Sequence, residues 1–238
     1  MRLGIMQPYF FPYIGYFDVI LKSDRWIVFD VVKYQPKTWM NRNRVLEPNK
    51  GEQYISVPVD RSSGRMLSDV SVQDPSEAYR RILNQLLAYR NVAPYYRDVC
   101  GLVEEAFSLG APFLLRDLNV RSLAVTCNRL GIQFDPLVCS RLDLDFSRVG
   151  HAGQWALEIC DQLGATAYLN PSGGKALFRV EEWSERGIDL RFTRPPDFRY
   201  ATVPSLPFVP NLSILDCMMW MPPDEIRGYL ESLPIDDA

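Results

Sequence analysis

The chain has 238 residues, of which 47% are hydrophobic and 23% charged, and its formal net charge is −3. This composition is ordinary for a globular protein, and the acidic balance argues against an extended nucleic-acid surface, which needs clustered lysines and arginines. Because no apolar run approaches the ~20 residues of a membrane helix and the amino terminus does not resemble a signal peptide, we expect a cytoplasmic protein with neither a membrane nor a nucleic-acid partner.

The first thirty residues predict a β-loop-α-β unit of the Rossmann-like type. Residues 2–6 form a short apolar run that stops before Pro8, residues 13–21 carry apolar side chains at helical spacing, and residues 26–29 are again strand-like. A strand, a loop, a helix and a second strand in this order indicate an α/β fold.

Additional strands and a central helical layer are predicted next. Three short strands are expected to form a meander at residues 42–47, 53–59 and 66–72, separated by turn residues such as those at 48–51. Asp74 and Pro75 provide a helix cap and a first-turn proline. Helices are therefore predicted at residues 75–90, 94–108 and 115–130.

The carboxyl-terminal half mixes strands and helices. The strands are predicted at residues 133–144, 166–169, 188–193 and 199–203, and the helices at residues 153–163, 180–185, 213–219 and 223–233. We therefore expect an α/β fold with a helical carboxyl end, organised as one domain over residues 1–238, in which residues 74–131 could form a helical subdomain.

The loop after the first strand is the first candidate ligand site. In open α/β sheets, ligands bind beyond the carboxyl ends of strands, where a loop leads into a helix. Tyr9 and Tyr13 can stack on a base or sugar and also form hydrogen bonds, and Gln7 offers an amide. The first 46 residues contain seven lysines and arginines against three aspartates, so we expect a basic, ring-lined pocket for a flat or anionic ligand. The remaining rings are more typical of a packed core: Phe10, Phe11, Tyr16 and Phe17.

The same loop suggests a comparison with nucleotidylyltransferases. Its spacing after a short strand is similar to their strand-loop-helix layout, in which two histidines flank a glycine. Tyr13 and Tyr16 stand at the histidine positions, and tyrosine carries no imidazolium charge at neutral pH. The comparison therefore supports the fold more than the activity.

A second motif runs from Trp39 to Arg44. In a strand it would place Asn41 and Asn43 on one face and Arg42 and Arg44 on the other. Two guanidinium groups on one face can grip a phosphate or a carboxylate. The alternative is an edge strand with solvated charges.

Two further groups complete the candidate residues. Ser172 and Gly173 belong to a glycine-rich turn that offers free backbone amides to an anion, although a plain turn is the more ordinary interpretation. Asp216 lies in an apolar helix, where an ionised carboxylate is costly unless it has a partner, so it either holds a buried group or reaches the site.

Asp30, at the end of the second predicted strand, is the candidate general base; the alternative is a helix cap or an ion pair with Arg42 or Lys37. The single histidine, His151, and five scattered cysteines without C-x-x-C spacing argue against a metal site and against a catalytic triad.

Five motifs together resemble the WbqC-like proteins. In chain order they are Met6–Phe17, Trp39–Arg44, Ala93–Tyr96, Gly164–Gly174 and Phe208–Asp216. The last motif adds Asn211 and Ser213 to the candidate substrate contacts. Genes for such proteins typically lie among those for bacterial surface polysaccharides or natural products. The resemblance implies transfer of an acyl or aminoacyl group from a thioester to an amine such as an amino sugar.

Two positions depart from the family pattern. Val31 stands where a second acidic residue is common, and Trp155 stands where arginine is usual. Both changes remove charge near the proposed pocket, so we expect that the substrate or acyl donor can differ from that of polysaccharide-associated relatives.

The mechanism hypothesis from the sequence assigns Asp30 as the base, acting directly or through water, and either Lys37 or the amides of Asn41 and Asn43 to the oxyanion. Arg42 and Arg44 would hold the phosphates of a carrier arm or nucleotide sugar. No permanently bound cofactor is expected; the donor could be a phosphopantetheine-linked thioester delivered by a carrier protein. Nucleotidyltransferase or ligase-like chemistry, or a non-catalytic binding subunit, are the alternatives.

Overall fold

The structure is a computed structural model that describes residues 1–47, 51–60 and 62–237. Its strands are β1 (Arg2–Met6), β2 (Arg25–Val28), β3 (Arg42–Glu47), β4 (Gly51–Ser56), β5 (Val59–Asp60), β6 (Ser71–Val72), β7 (Pro136–Val138), β8 (Ala167–Pro171), β9 (Asp189–Thr193) and β10 (Ile235–Asp237). Its α-helices are α1 (Ile14–Leu21), α2 (Pro75–Leu86), α3 (Tyr96–Phe107), α4 (Leu115–Arg129), α5 (Gln154–Gln162), α6 (Val180–Glu185), α7 (Ile214–Trp220) and α8 (Pro223–Ser232).

A six-stranded sheet with the order β10-β9-β8-β1-β2-β7 organises these elements. Every neighbouring pair is parallel except β9 and β10. The chain adds β2 and β7 on one side of β1, and β8 and β9 on the other, so the strand order reverses between β1 and β8. In such α/β sheets the crevice beyond the carboxyl ends of the strands at the reversal is the usual ligand position. The predicted α/β fold class is confirmed.

Apolar residues cover both faces of the sheet. Along β2, Ile27 packs into one hydrophobic cluster, whereas Trp26 and Val28 pack into another. The first of these clusters includes Trp183 of α6, and the second includes Leu118 of the helical layer. This alternation follows from the two-residue period of a strand, and it explains why the parallel strands are almost continuously apolar.

The predicted three-stranded meander is wrong. β3 and β4 form one antiparallel hairpin, and β5 and β6 form a separate two-stranded ribbon. Residues 66–70 mostly form a turn, because the amide of Asp69 donates to the carbonyl of Met66 at 3.0 Å. The predicted turn at 48–50 lies outside the described residues.

Two other strand predictions also differ from the structure. The strand predicted at 133–144 is limited to β7, and a 3-10 turn follows it. The strand predicted at 199–203 is absent from the described chain, since residues 194–213 are irregular. Five prolines interrupt that segment, and proline cannot donate a ladder hydrogen bond. β9 pairs instead with β10, which the sequence pattern did not predict.

The remaining helices occur where they were predicted, and α2, α3 and α4 form the helical layer. Their buried side chains belong to the same hydrophobic cluster as those of α1 and α7. In the described ranges, none of these helices has the length and apolar character needed to cross a bilayer.

Two glycines provide a matched test of the packing. A Cβ at Gly4, in the central strand β1, would lie 2.5 Å from Ser23 Oγ and 2.8 Å from Trp26 Cε3, whereas one at Gly101, in α3, would meet no described atom within 4 Å. We expect Gly4→Ala to lower the free energy of unfolding by about 1–3 kcal/mol and Gly101→Ala to raise it by about 1 kcal/mol. Urea denaturation of both variants measures this, and a Gly4→Ala protein as stable as the wild type would contradict the packing.

Candidate functional site

The two polar-aromatic segments near the start of the chain lie against each other. The backbone amide of Phe10, in the loop after β1, donates to the carbonyl of Trp39 at 2.9 Å. Two cavities open beside this contact, and Tyr9 and Trp39 contribute to the walls of both. The loop therefore forms part of a water-accessible site, at the sheet edge where ligands of α/β proteins bind.

The first cavity, which we call the basic cavity, has a volume of about 330 Å³. Arg42 lies over the ring of Tyr54, with its guanidinium carbon 4.0 Å from the ring centroid. Lys37 and Arg42 form no ion pair with any described residue, so their charges stay available to an anion. The described wall contains neither carboxylate nor imidazole and consists of Gln7, Tyr9, Gln35, Lys37, Thr38, Trp39, Met40, Arg42 and Tyr54.

The second cavity, which we call the proline cavity, also has a volume of about 330 Å³. Arg44 faces it, but its Nη1 lies 2.7 Å from Glu52 Oε2, which offsets its charge. Arg42 and Arg44 thus line different cavities rather than gripping one anion together. The described wall consists of Tyr9, Pro12, Tyr13, Trp39, Asn43, Arg44, Pro195, Pro196 and Asn211.

Buried side chains hold the backbone of the loop after β1. Asn43 Nδ2 donates to the carbonyls of Phe10 and Phe11 at 3.1 and 2.8 Å, and Ser213 Oγ donates to the Phe11 carbonyl at 2.7 Å. Buried carbonyls without such donors would be costly. Asn43 and Ser213, both predicted to contact substrate, therefore use their donors to fix the loop.

Asn119 in α4 joins the two segments, and the sequence reasoning missed it. Its Nδ2 donates to the carbonyls of Pro8 and Met40 at 2.8 and 2.7 Å, and the side chain is fully buried. The available signal was the spacing of Asn119, Ser122 and Thr126, which places three polar residues on one buried helix face.

Backbone strain is concentrated at the site. Within the described ranges, three non-glycine residues have positive φ: Phe11 at 39°, Lys37 at 60° and Asn211 at 56°. The left-handed region is unfavourable for side chains with a Cβ, and such residues persist only where the surrounding structure imposes them. Lys37 and Asn211 line the basic and the proline cavity, respectively.

The tyrosines of the site are protonated hydrogen-bond donors. Burial raises the pKa of Tyr9, and burial together with the charge of Asp18 raises the pKa of Tyr13. The Tyr9 hydroxyl donates to Gln7 Oε1 at 3.3 Å. The ring of Tyr13 lies over Gly15, where a Cβ would come within 2.6 Å of it, so the absence of a side chain at that position lets the ring face the cavity.

Asp30 lies away from both cavities. It is fully buried and accepts hydrogen bonds from Arg116 Nη1 at 3.1 Å, from the Ser140 amide at 2.9 Å and from Ser140 Oγ at 2.6 Å. Its ion-pair partner is Arg116 rather than Arg42 or Lys37. The carboxylate therefore ties the end of β2 to α4, and its geometry gives no support to the predicted role as base.

Asp216 is also a buried structural group. The hydroxyls of Tyr89 and Tyr200 donate to its carboxylate, and the Tyr89 hydroxyl accepts from the Leu46 amide at 2.7 Å. Burial raises the pKa of Asp216 to about 6, although the two hydroxyl donors act in the opposite direction. It joins α7 to the irregular segment 194–213 and is not part of either described cavity wall.

Four other predicted contacts lie outside the two described walls, and one of them is Ser213, which holds the Phe11 carbonyl. Asn41 Nδ2 donates to the Val57 carbonyl at 3.1 Å and fastens the start of the hairpin. Ser172 and Gly173 lie in a 3-10 turn after β8. Nine predicted residues do line the cavities: Gln7, Tyr9, Tyr13, Lys37, Trp39, Arg42, Asn43, Arg44 and Asn211.

Val31 and Trp155 both lie near the aromatic residues Phe29 and Phe146. The Trp155 ring centroid lies 5.5 Å from that of Phe29 and 4.8 Å from that of Phe146, and Val31 packs against the same hydrophobic cluster as Phe29 and Phe146. Neither residue belongs to a described wall. Their positions therefore give no support to the expectation that these two changes remove charge from the pocket.

No cysteine lines the described walls of the two cavities, so no thiol nucleophile is placed there. Four are buried, and Cys100 is partly buried. Burial, followed by the charge of Asp30, raises the pKa of Cys139 to about 12, and burial also raises the pKa values of Cys127, Cys160 and Cys217. In the part of the chain that the structure describes, no three His, Cys, Asp or Glu residues are grouped as metal ligands.

Replacing Asn119 tests the clamp between the two segments, by which we mean its hydrogen bonds to the carbonyls of Pro8 and Met40. Asn119→Asp removes both donors and places a carboxylate beside two carbonyls, so the free energy of unfolding should fall by about 3 kcal/mol. The exposed Asn128 lies on the same helix. Asn128→Asp should change the free energy of unfolding by less than about 0.5 kcal/mol. Equal effects of the two substitutions in urea denaturation would refute the clamp.

The raised pKa of Asp216 predicts a specific pH dependence. Because the folded-state pKa is about 6 and the unfolded value is ~3.9, this group's stabilisation is complete below about pH 4 and is lost as the pH rises through about 6. The loss should reach ~3 kcal/mol. Asp216→Asn removes this component. A difference in unfolding free energy between wild type and variant that stays constant from pH 4 to pH 7 would contradict the assignment.

The comparisons with known proteins agree with the sequence motifs. The model of the WbqC-like protein family matches residues 7–228. An uncharacterized protein of Mycobacterium tuberculosis (strain ATCC 25618 / H37Rv), Rv1507c, is 27% identical over 223 residues, which covers 91% of this chain and 92% of that protein. No solved structure gives a significant match. The family match spans most of the chain, from the loop after β1 to α8, and the chain therefore belongs to the WbqC-like protein family.

Proposed function

We propose that this protein transfers an acyl or aminoacyl group from a thioester to an amine and forms an amide. The observation that carries the proposal is the composition of the two described cavity walls: cations, hydroxyls and amides without a carboxylate or imidazole. Such a site can bind phosphate and stabilise negative charge, but it offers no strong base at neutral pH.

Thioester aminolysis suits a site of this kind. The neutral amine attacks the carbonyl carbon, a C–N bond forms, and the carbonyl oxygen becomes negative. The C–S bond then breaks, and the thiolate leaves with the electron pair and takes up the proton that the amine releases, directly or through water. Because a thiol has a pKa of about 8.5, its departure requires no acid from the protein.

Lys37 is the group we assign to the developing oxyanion. Its ammonium has no described carboxylate partner, and the strained backbone at φ 60° fixes the position from which it enters the basic cavity. An ammonium group that donates to the oxyanion stabilises the negative charge of the transition state. This role agrees with the one that the motif suggested.

Arg42 is assigned to the phosphate of a phosphopantetheine-linked donor. Its guanidinium carbon lies 4.0 Å from the centroid of the Tyr54 ring, and its buried Nε has no hydrogen-bond partner in the described chain. Planar N–H donors match phosphate oxygens well. The donor arrives either on a carrier protein or as a coenzyme A thioester.

The proline cavity is assigned to the amine acceptor. Tyr9, Tyr13 and Trp39 present rings and hydrogen-bonding groups, which suit the apolar face and hydroxyls of an amino sugar. Tyr9 and Trp39 also belong to the basic cavity. The acceptor amine and the thioester carbonyl would meet at this shared wall.

The activity test combines purified protein, an acyl-phosphopantetheine thioester and a panel of amino sugars without ATP. Amide product detected by mass spectrometry, with stoichiometric release of thiol, is the expected result. Saturable binding without turnover for every donor would replace the proposal with a binding subunit. Pyrophosphate release that requires ATP would replace it with nucleotidyl or ligase chemistry.

A substitution at Lys37 tests the role of its ammonium group in the reaction most directly. Lys37→Gly removes the ammonium and relieves the positive φ, so turnover should fall about 100-fold while the free energy of unfolding stays equal or rises by up to about 1 kcal/mol. Lys33→Ala, at an exposed lysine of the same segment, is the matched control and should keep full turnover. An active Lys37→Gly enzyme would remove Lys37 from the mechanism.

A further inference from the structure

A third cavity lies in the helical layer, between α2, α3 and the segment that follows α3. Its volume is about 450 Å³, and it shares no described wall residue with the basic or the proline cavity. We call it the aromatic cavity. The wall consists of Pro75, Ser76, Tyr79, Glu104, Phe107, Ser108, Leu109, Ala111 and Phe113.

Three neighbouring rings form its apolar side. The ring centroids of Tyr79 and Phe107 are 5.8 Å apart, and those of Phe107 and Phe113 are 6.1 Å apart. Phe107 also meets the fully buried Phe10 at 6.3 Å, with the ring planes 84° apart. Because Phe10 belongs to the core, it fixes Phe107, and the rings are ordered before any ligand arrives.

Glu104 is the only charged residue in the described wall. Its carboxylate forms no ion pair or hydrogen bond with a described residue, whereas the next residue, Glu105, pairs with Arg121 at 3.0 Å. The charge of Glu104 also contributes, after burial, to the raised pKa of Tyr79. The cavity therefore combines ring surfaces with one uncompensated negative charge.

This combination fits a weakly hydrated organic cation. The face of an aromatic ring is electronegative and attracts an ammonium group, and alkyl substituents on the nitrogen pack against the same rings. A carboxylate at the rim adds attraction that a neutral ligand would not feel. A strongly hydrated metal ion would instead require several oxygen ligands.

We propose that the aromatic cavity binds an alkylated ammonium group, of the quaternary or tertiary amine class. The proposal is independent of acyl transfer, since none of its residues lies in the described walls of the other two cavities. Glu104 supplies the charge, and Tyr79, Phe107 and Phe113 supply the ring surfaces.

The test is calorimetric titration of the full chain with choline and with 3,3-dimethylbutan-1-ol, a neutral molecule of the same shape. We expect saturable binding of choline and clearly weaker binding of the alcohol. Glu104→Gln should weaken choline binding about threefold, and Phe113→Leu, which keeps an apolar side chain, should weaken it about threefold as well. Glu105→Gln is the matched control and should leave it unchanged.

Each other outcome overturns the proposal. No saturable choline binding would show that the cavity is not a cation site. Equal affinity for the neutral alcohol would make it an apolar groove. Loss of binding in Glu105→Gln to the same extent as in Glu104→Gln would assign the effect to overall surface charge. Circular dichroism of each variant checks that it is folded.

Discussion

The site depends on hydrogen bonds that a few buried side chains donate to buried backbone carbonyls. Asn119 spans the carbonyls of Pro8 and Met40, and Asn43 spans those of Phe10 and Phe11. Without these donors the two segments would leave polar groups unpaired in a water-poor interior. Residues of both segments line the two cavities, so these hydrogen bonds hold part of each cavity wall in place.

The electrostatics of the site follow from where the carboxylates are. Asp30 and Asp216, two acidic residues considered for the site, are both buried and accept hydrogen bonds from other residues. Lys37 and Arg42 consequently stay without an opposing charge in the described chain. A site whose basic side chains have no acidic partner, because the acidic side chains are bound elsewhere, is suited to an anionic ligand.

Local patterns predicted the opening β-loop-α-β unit because its strand and helix periods are contained within a few residues. They also placed Tyr9, Lys37 and Arg42 at one site, since loops after parallel strands meet at one edge. Asn119 lay beyond local reasoning, because its partners are 79 and 111 positions away. The ion-pair partner of Asp30 lay beyond local reasoning for the same reason, because Arg116 is 86 positions away. The third predicted strand of the meander is reduced to β6, because a turn with the hydrogen bond from the Asp69 amide to the Met66 carbonyl occupies its first residues.

The antiparallel strand β10 has a consequence for contacts between molecules. It pairs with β9 and forms the edge of the six-stranded sheet, which is only three residues long there. Asp236 in this edge strand pairs with Arg194 at 2.7 Å. At the opposite border β7 is also three residues long and turns away into a 3-10 turn. Short, charged or bent borders offer little template for intermolecular strand addition. The six-stranded sheet, as described, therefore offers other copies of this chain no long unpaired edge strand for edge-to-edge aggregation.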